Sequence, residues 1–388
     1  MCGTDFSNRF SYTRRIAMLA IKCGHLLLPG GSFITGGAIV TSRGKILEAG
    51  PDTKIPEGCP ILDASDKWVT PGLIESHGHL SEDSNEMTAP FTPDMSAIDA
   101  LDPFDPCIPL IRSAGFTTFC TLPGSSNLAG GTGIAVKLKE AQCPEDMIIP
   151  ECQPLKMAIG ENPKLTYGKK GITPGSRMGN AALIRRTFTE AAAYLEKREK
   201  GKLDAPNRAK EVLADALAGK RRVKIHCHTA QDITMAVRLA EEFRLTYTLE
   251  HVTSGRFTAE YLAEHQVSCC VGPLLIPALK LEMKDIHPSN PGVLERAGVS
   301  FSLIQDAGWD TVYLPSLAGL CTAHGLSSQA ALNALTIQAA RNLGLESRIG
   351  SLEPGKDADI SIFTGNPLEN TAVCTDVLID GVHYEKRK

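Results

Sequence analysis

What most constrains this chain is a rhythm: strand-sized apolar runs recur through its middle, each separated from the next by a stretch with helical patterning. The runs are Val69–Ser76, Thr117–Leu122, Leu155–Gly160, Val223–His228, Thr246–Glu250, Val267–Val271 and Val299–Ile304, with Gly133–Leu138 as an eighth. Helical patterns over Ala181–Arg198 and Asn207–Leu217 fill the widest gap between them. Such alternation is that of βα units, whose strands lie parallel with helices packed outside. The expected fold is therefore α/β, a (β/α)8 TIM-like barrel over residues 67–344. Both ends read differently. Short strands broken by Gly and Pro occupy residues 18–66 and return over 345–388, so the two termini are expected to build one small β-sandwich domain. Residues 1–17 are charged and polar and are expected to form a disordered extension.

Composition narrows the function classes. The chain has 388 residues, 43% of them hydrophobic, enough to bury a large core. A net charge of -4 without a long Lys/Arg run argues against nucleic acid as a partner. Apolar runs fall well short of the ~20 residues that span a bilayer, so no membrane segment is expected. Twelve cysteines lie scattered, with no Cys-x-x-Cys pair, which fits reduced thiols and a cytoplasmic setting. The residues 1–15 lack the apolar core of a secretory signal.

The chemistry-bearing residues gather at the ends of the strand-like runs. His77 and His79 follow the first; His226 and His228 close the fourth; His251 follows the fifth; Asp306 follows the last. In a barrel of this kind the C-terminal ends of the strands share one rim, where the loops converge on a common mouth. Residues two apart on an extended backbone face the same side, so both imidazoles of a His-x-His can reach one ion. Taken alone, His77-Gly78-His79 reads equally well as a pair of core or solvated histidines.

The context of that pair changes the weighting. Val69-Thr70-Pro71-Gly72-Leu73-Ile74-Glu75-Ser76-His77-Gly78-His79 resembles the signature that ends the first barrel strand in the amidohydrolase superfamily. Ile349-Gly350-Ser351-Leu352-Glu353-Pro354-Gly355-Lys356-Asp357-Ala358-Asp359 resembles the segment with which members of that family re-enter their terminal sheet. Imidazolonepropionase-like and prolidase-like members are the nearest in kind.

The resemblance implies a metal-dependent hydrolase that cleaves a C–N bond, in a cyclic amide or a peptide-type amide, in a small-molecule substrate. It makes His77 and His79 ligands of the more buried ion, Asp306 both a ligand and the general acid/base, and His251 with His226 or His228 the ligands of a second. His226 is preferred of that pair, with His228 as its neighbour or support. The family bridges two ions with a carboxylated lysine or a glutamate; Glu161, at the end of its strand, is chosen here over the deeper Lys156. The implied cofactor is one or two divalent ions, Zn²⁺ first and Fe²⁺ or Mn²⁺ as alternatives. An ion held by imidazoles and carboxylates with one open position lowers the pKa of bound water to about 7. Arg177 is a candidate to grip a substrate carboxylate through a bidentate pair.

Two other readings compete. A deaminase of the same fold is disfavoured because the His-x-x-Glu that such enzymes carry after the fifth strand is absent: Thr229 and Gln231 stand three residues after His226 and His228. A catalytically idle barrel serving as a binding or assembly module is disfavoured by the retained histidines and Asp306. His25, His265, His287, His324 and His383 are read as structural or exposed, and assembly into a homo-oligomer is left open.

Overall fold

The computed structural model describes residues 10–12, 18–81 and 85–386. Its centre is a TIM-barrel-like α/β arrangement. Five strands run parallel in consecutive register: Leu155–Ala158, Val223–Cys227, Tyr247–His251, Cys269–Val271 and Phe301–Leu303. Leu73–Gly78 pairs parallel with Phe116–Thr121. Nearly every residue of these strands is buried, as expected of strands covered on both faces.

The closed ring of eight parallel strands expected from the rhythm is not what forms. Hydrogen bonding divides the barrel region into a six-stranded and a four-stranded sheet. The stretch 129–137 supplies the third position and runs antiparallel to both neighbours: Ala129–Thr132 against Leu155–Ala158, and Ile134–Lys137 against Phe116–Thr121. Glycines explain the close fit. A side chain on Gly131, at φ +127, would stand 2.7 Å from the Met95 carbonyl oxygen, and one on Gly133 would meet that of Thr121 at 2.8 Å. Where Phe301–Leu303 faces Leu73–Gly78, the contact is made by side chains, with Ser76 Oγ 2.8 Å from Ser302 Oγ.

Helices start where the sequence supplies a cap. Thr229, directly after His228, accepts from the Asp232 N–H and opens Ala230–Glu242; Ser176 opens Arg177–Glu199, and Asn207 opens Arg208–Leu217. Thus the fourth parallel strand delivers its histidines and turns at once into a helix.

Both chain ends enter one nine-stranded sheet. Ile61–Pro71 pairs parallel with Met18–Leu27 and antiparallel with Ile360–Phe363, over a separate core that includes Ile21, Leu26, Ile39, Val69 and Ile362. The hydrogen bonds make this a single sheet, where two facing sheets had been expected. Of the extension 1–17, Phe10–Tyr12 form a strand against the last strand, Val382–Lys386; the rest lies outside the described residues. Among the described residues no helix is long and apolar enough to cross a membrane.

The signature glycines have steric causes. A Cβ on Gly72 would lie 2.1 Å from Thr117 Oγ1, and one on Gly78 would lie 2.4 Å from Phe119 Cζ. These residues let the first barrel strand lie against the second and carry His77 and His79 to the rim.

At the base of the barrel, Lys137 is buried against three carboxylates of the terminal sheet. Its Nζ lies 2.8 Å from Asp357 and 3.2 Å from Asp380 and also contacts Asp359. Lys45 and Arg348 add cations to Asp357 at 2.7 and 2.8 Å. This ion network ties the sheet to the barrel.

Candidate metal centre

Two groups of ligand-competent side chains meet at the barrel mouth. His77, His251 and Asp306 form one and His226, His228 and His251 the other, with ligand atoms inside each group all within 4.8 Å. His251 belongs to both. The carboxylate of Asp306 sits 3.3 Å from His77 Nε2 and 3.5 Å from His79 Nε2, so His79 stands on the same side.

The backbone is bent to achieve this. His251 and Asp306 have φ of 70° and 73°, in the left-handed region that ordinary residues avoid at a cost of roughly 1–2 kcal/mol. Strain of this kind persists where surrounding structure enforces it, and it concentrates at functional positions.

Four of the five imidazoles are oriented from behind. His77 Nδ1 lies 2.5 Å from Glu250 Oε2; His79 Nδ1 faces the Leu122 carbonyl at 2.8 Å; His228 Nδ1 faces Thr253 Oγ1 at 2.7 Å; His251 Nδ1 faces the Gly272 carbonyl at 2.9 Å. Such partners fix the tautomer and leave Nε2 free to ligate. His226 is different: its Nδ1 is buried with no partner, and its Nε2 lies 3.4 Å from the Asn162 amide nitrogen.

Behind His77 stands a buried pair. Lys224 Nζ is 3.1 Å from Glu250 Oε1, and Thr248 Oγ1 also donates to that oxygen. A barrel interior is usually filled with branched aliphatic residues; here Lys224, Thr248, Glu250, Cys270, Ser76 and Ser302 replace them, all buried.

The electrostatics suit cation binding. Burial, reinforced by neighbouring positive groups, lowers the pKa of His77, and more strongly those of His226 and His228. Burial pulls His251 down to about 3. The rings are thus neutral, the form that ligates metal. Burial alone would raise the Asp306 carboxyl, but His251, His77 and His79 outweigh it and hold it well below the usual range. Beside the histidines and Asp306 a cavity of about 670 Å³, lined by His79, Asp105 and Trp309 among others, opens to the surface.

The structure sorts the residues named from sequence. His77, His79, His226, His228, His251 and Asp306 come together. Lys156, set aside in favour of Glu161, brings its Nζ to 2.9 Å from His77 Nε2, and burial lowers it to about 8. Glu161 instead opens the helix Glu161–Gly168 beyond the sharp turn at Gly160, and stands in neither ligand group. Lys156 pairs in register with Lys224, on the inward face, and its long side chain reaches His77 despite its depth. Arg177 does not point to an open substrate site. Its Nε and Nη2 lie 2.7 and 2.9 Å from the two carboxylate oxygens of Asp232, so its fork is engaged within the protein. Of the histidines read as structural, His265 pairs with Glu241, His383 with Asp376, and His25 stacks on Trp68.

Three residues escaped the sequence reading. Lys224 and Glu250 carried a signal, since alternation from His226 places Lys224 on the inward face, and Glu250 immediately precedes His251. Glu282, whose Oε1 lies 3.8 Å from His226 Nε2 and 3.9 Å from His228 Nε2, comes from a loop without periodicity.

Comparison with known proteins gives one answer. An amidohydrolase from Thermotoga maritima MSB8 superposes with a TM-score of 0.88 at 34% identity, covering 95% of this chain and all of that one. The amidohydrolase tasK of Hapsidospora irregularis is 27% identical over 89% of this chain, which spans only 39% of that relative's length. An imidazolonepropionase from Mesorhizobium japonicum is 25% identical over 86% of this chain and 88% of its own. Residues 68–382 match the amidohydrolase family, and with four-fifths of its length so matched and the ligand cluster in place, the chain belongs to that family.

Proposed function

We propose that this chain is a metal-dependent hydrolase that cleaves the C–N bond of a cyclic amide or peptide-type amide, with Asp306 as general acid/base. The observation that carries the reading is the pair of ligand groups sharing His251 at the barrel mouth. The donor set fits a divalent cation: neutral imidazoles, an ionised carboxylate, and buried partners that orient the rings. Zn²⁺ suits it first, with Fe²⁺ or Mn²⁺ as alternatives, and one or two ions as the occupancy. The likeness to imidazolonepropionases supports the choice of bond.

His77, His79 and Asp306 would hold one ion, and His226, His228 and His251 the other. Lys156, if its Nζ adds CO₂ with loss of a proton to give a carbamate, would supply a further carboxylate ligand in place of Glu161. A bound ion supplies an acidified water and polarises the substrate carbonyl. Asp306 Oδ1 takes the proton of the attacking water and passes it to the departing nitrogen, a role worth typically 10²–10⁴-fold. Glu250 and Lys224 keep the His77 ring turned toward the mouth, and Trp309 and Asp105 border the space for the substrate.

Elemental analysis of the purified chain, followed by a screen of lactams, hydantoins, N-acyl amino acids and dipeptides with the Zn²⁺- or Mn²⁺-loaded protein, tests this. Bound metal and turnover of one class, reduced about 10²–10⁴-fold by Asp306→Asn with an unchanged melting temperature, are the expected results. Undiminished hydrolysis by the variant would remove Asp306 from its role. A chain that neither contains nor takes up metal would favour an idle scaffold.

A further inference from the structure

Glu282 lies in the loop that follows the strand Cys269–Val271, and its side chain is only 1% exposed. Burial of an ionised carboxylate costs several kcal/mol unless something compensates it. One oxygen is accounted for: Oε2 accepts the Glu161 backbone N–H at 2.8 Å and has Arg177 Nη2 at 3.8 Å. The turn at Gly160 is shaped for it. Gly160 has φ +92, and a Cβ there would stand 3.0 Å from Glu282 Oε2 and 2.9 Å from Asp232 Oδ2.

The other oxygen faces the histidines. Oε1 lies 3.8 Å from His226 Nε2 and 3.9 Å from His228 Nε2. Lys280 Nζ, 2.7 Å from the same oxygen, is the one cation that reaches it among the described residues. That ammonium has a second anchor in Asn162 Oδ1 at 2.8 Å, and its side chain is 24% exposed, so it can leave Glu282 without losing every partner. The arrangement is a buried carboxylate, held by one oxygen, whose other oxygen shares a space with two imidazole nitrogens and is balanced by a displaceable cation.

From this we propose that Glu282 is a metal ligand: its Oε1 completes the ion position built by His226, His228 and His251, and Lys280 holds the carboxylate until the ion displaces it. This inference rests on the metal-dependent reading above. It adds a donor from the loop after Cys269–Val271, and it makes that loop part of the centre. Three neutral imidazoles carry no charge to offset a dication; the Glu282 carboxylate offsets half of it.

The test is a Zn²⁺ titration of the metal-stripped full chain against a chromophoric chelator, with Co²⁺ absorption as a second readout. Glu282→Gln preserves shape and removes the charge. It should weaken Zn²⁺ binding by at least about 10-fold, as loss of even an outer partner of a metal site does, and change the Co²⁺ spectrum. A smaller change overturns the inference while the wild-type chain still binds Zn²⁺; failure of the wild-type chain to bind Zn²⁺, Fe²⁺ or Mn²⁺ overturns both readings. Should Glu282→Gln not fold, Lys280→Met decides. Removing the competing ammonium should tighten Zn²⁺ binding, and unchanged or weaker binding counts against the proposal.

Discussion

The two ends of the barrel both bury ionisable side chains, yet they are wired in opposite ways. At the base, Lys137 meets Asp357, Asp359 and Asp380, and the cations Lys45 and Arg348 share Asp357, so charge is balanced within the protein. At the mouth, five histidines and Asp306 converge with most rings braced through Nδ1 and Nε2 left inward. A balanced cluster holds two parts of a fold together, whereas a cluster with lone pairs left over is built to hold something else.

That contrast can be attacked at either end. The largest stability effect belongs to the base: Lys137→Met strands buried carboxylates and should cost about 3–5 kcal/mol, with turnover per folded molecule unchanged. Chemical denaturation beside an activity assay measures it, and a loss of activity with no loss of stability would reverse the assignment. At the mouth, Glu250→Gln removes the brace behind His77 and leaves Lys224 without its carboxylate partner. Zn²⁺ affinity should fall about 10–100-fold, read by chelator competition.

Acid separates the two ends next. His251 is held by burial at about 3 in the native chain, against 6.5 for the free ring. Between those values the unfolded chain binds a proton that the native chain refuses, so stability present above about 6.5 drains as pH falls. Each such ring contributes at most about 1.4 kcal/mol per pH unit. At the base, burial would raise Asp357, but Lys137, Lys45 and Arg348 outweigh it and hold it at about 2, so its share survives until pH drops below about 3.8. The melting temperature of the metal-free chain should therefore fall already between pH 7 and 5; a flat profile there would contradict neutral buried rings. The smallest effect is expected at the surface, where Arg185→Ala breaks a half-exposed pair with Glu242 and should shift stability by less than about 1 kcal/mol.

Much of the mouth was legible because strand ends announce themselves. His77, His79, His226, His228, His251 and Asp306 each close an apolar run, and parallel strands bring such ends to one rim. Lys156 was set aside because depth along a strand was taken for distance from the centre. Lys156 spans that depth with four methylenes, while Glu161 is carried off by the turn at Gly160. Gly133–Leu138 was read as a strand, and Ile134–Lys137 do form one, but antiparallel to Phe116–Thr121; the glycine-rich Ala129–Thr132 before it was not read as a strand and pairs antiparallel with Leu155–Ala158. Glu282 left no trace in periodicity, since its loop is placed by contacts with Gly160, Arg177 and Lys280.

The nine-stranded sheet has a consequence for synthesis. Ile61–Pro71 leaves the ribosome long before its antiparallel neighbour Ile360–Phe363 is made. Throughout that interval the strand waits with an open edge, a template for unwanted pairing. Its completion closes a very long loop, a topology that slows folding, so the nascent protein stays vulnerable until Ile360–Phe363 has emerged.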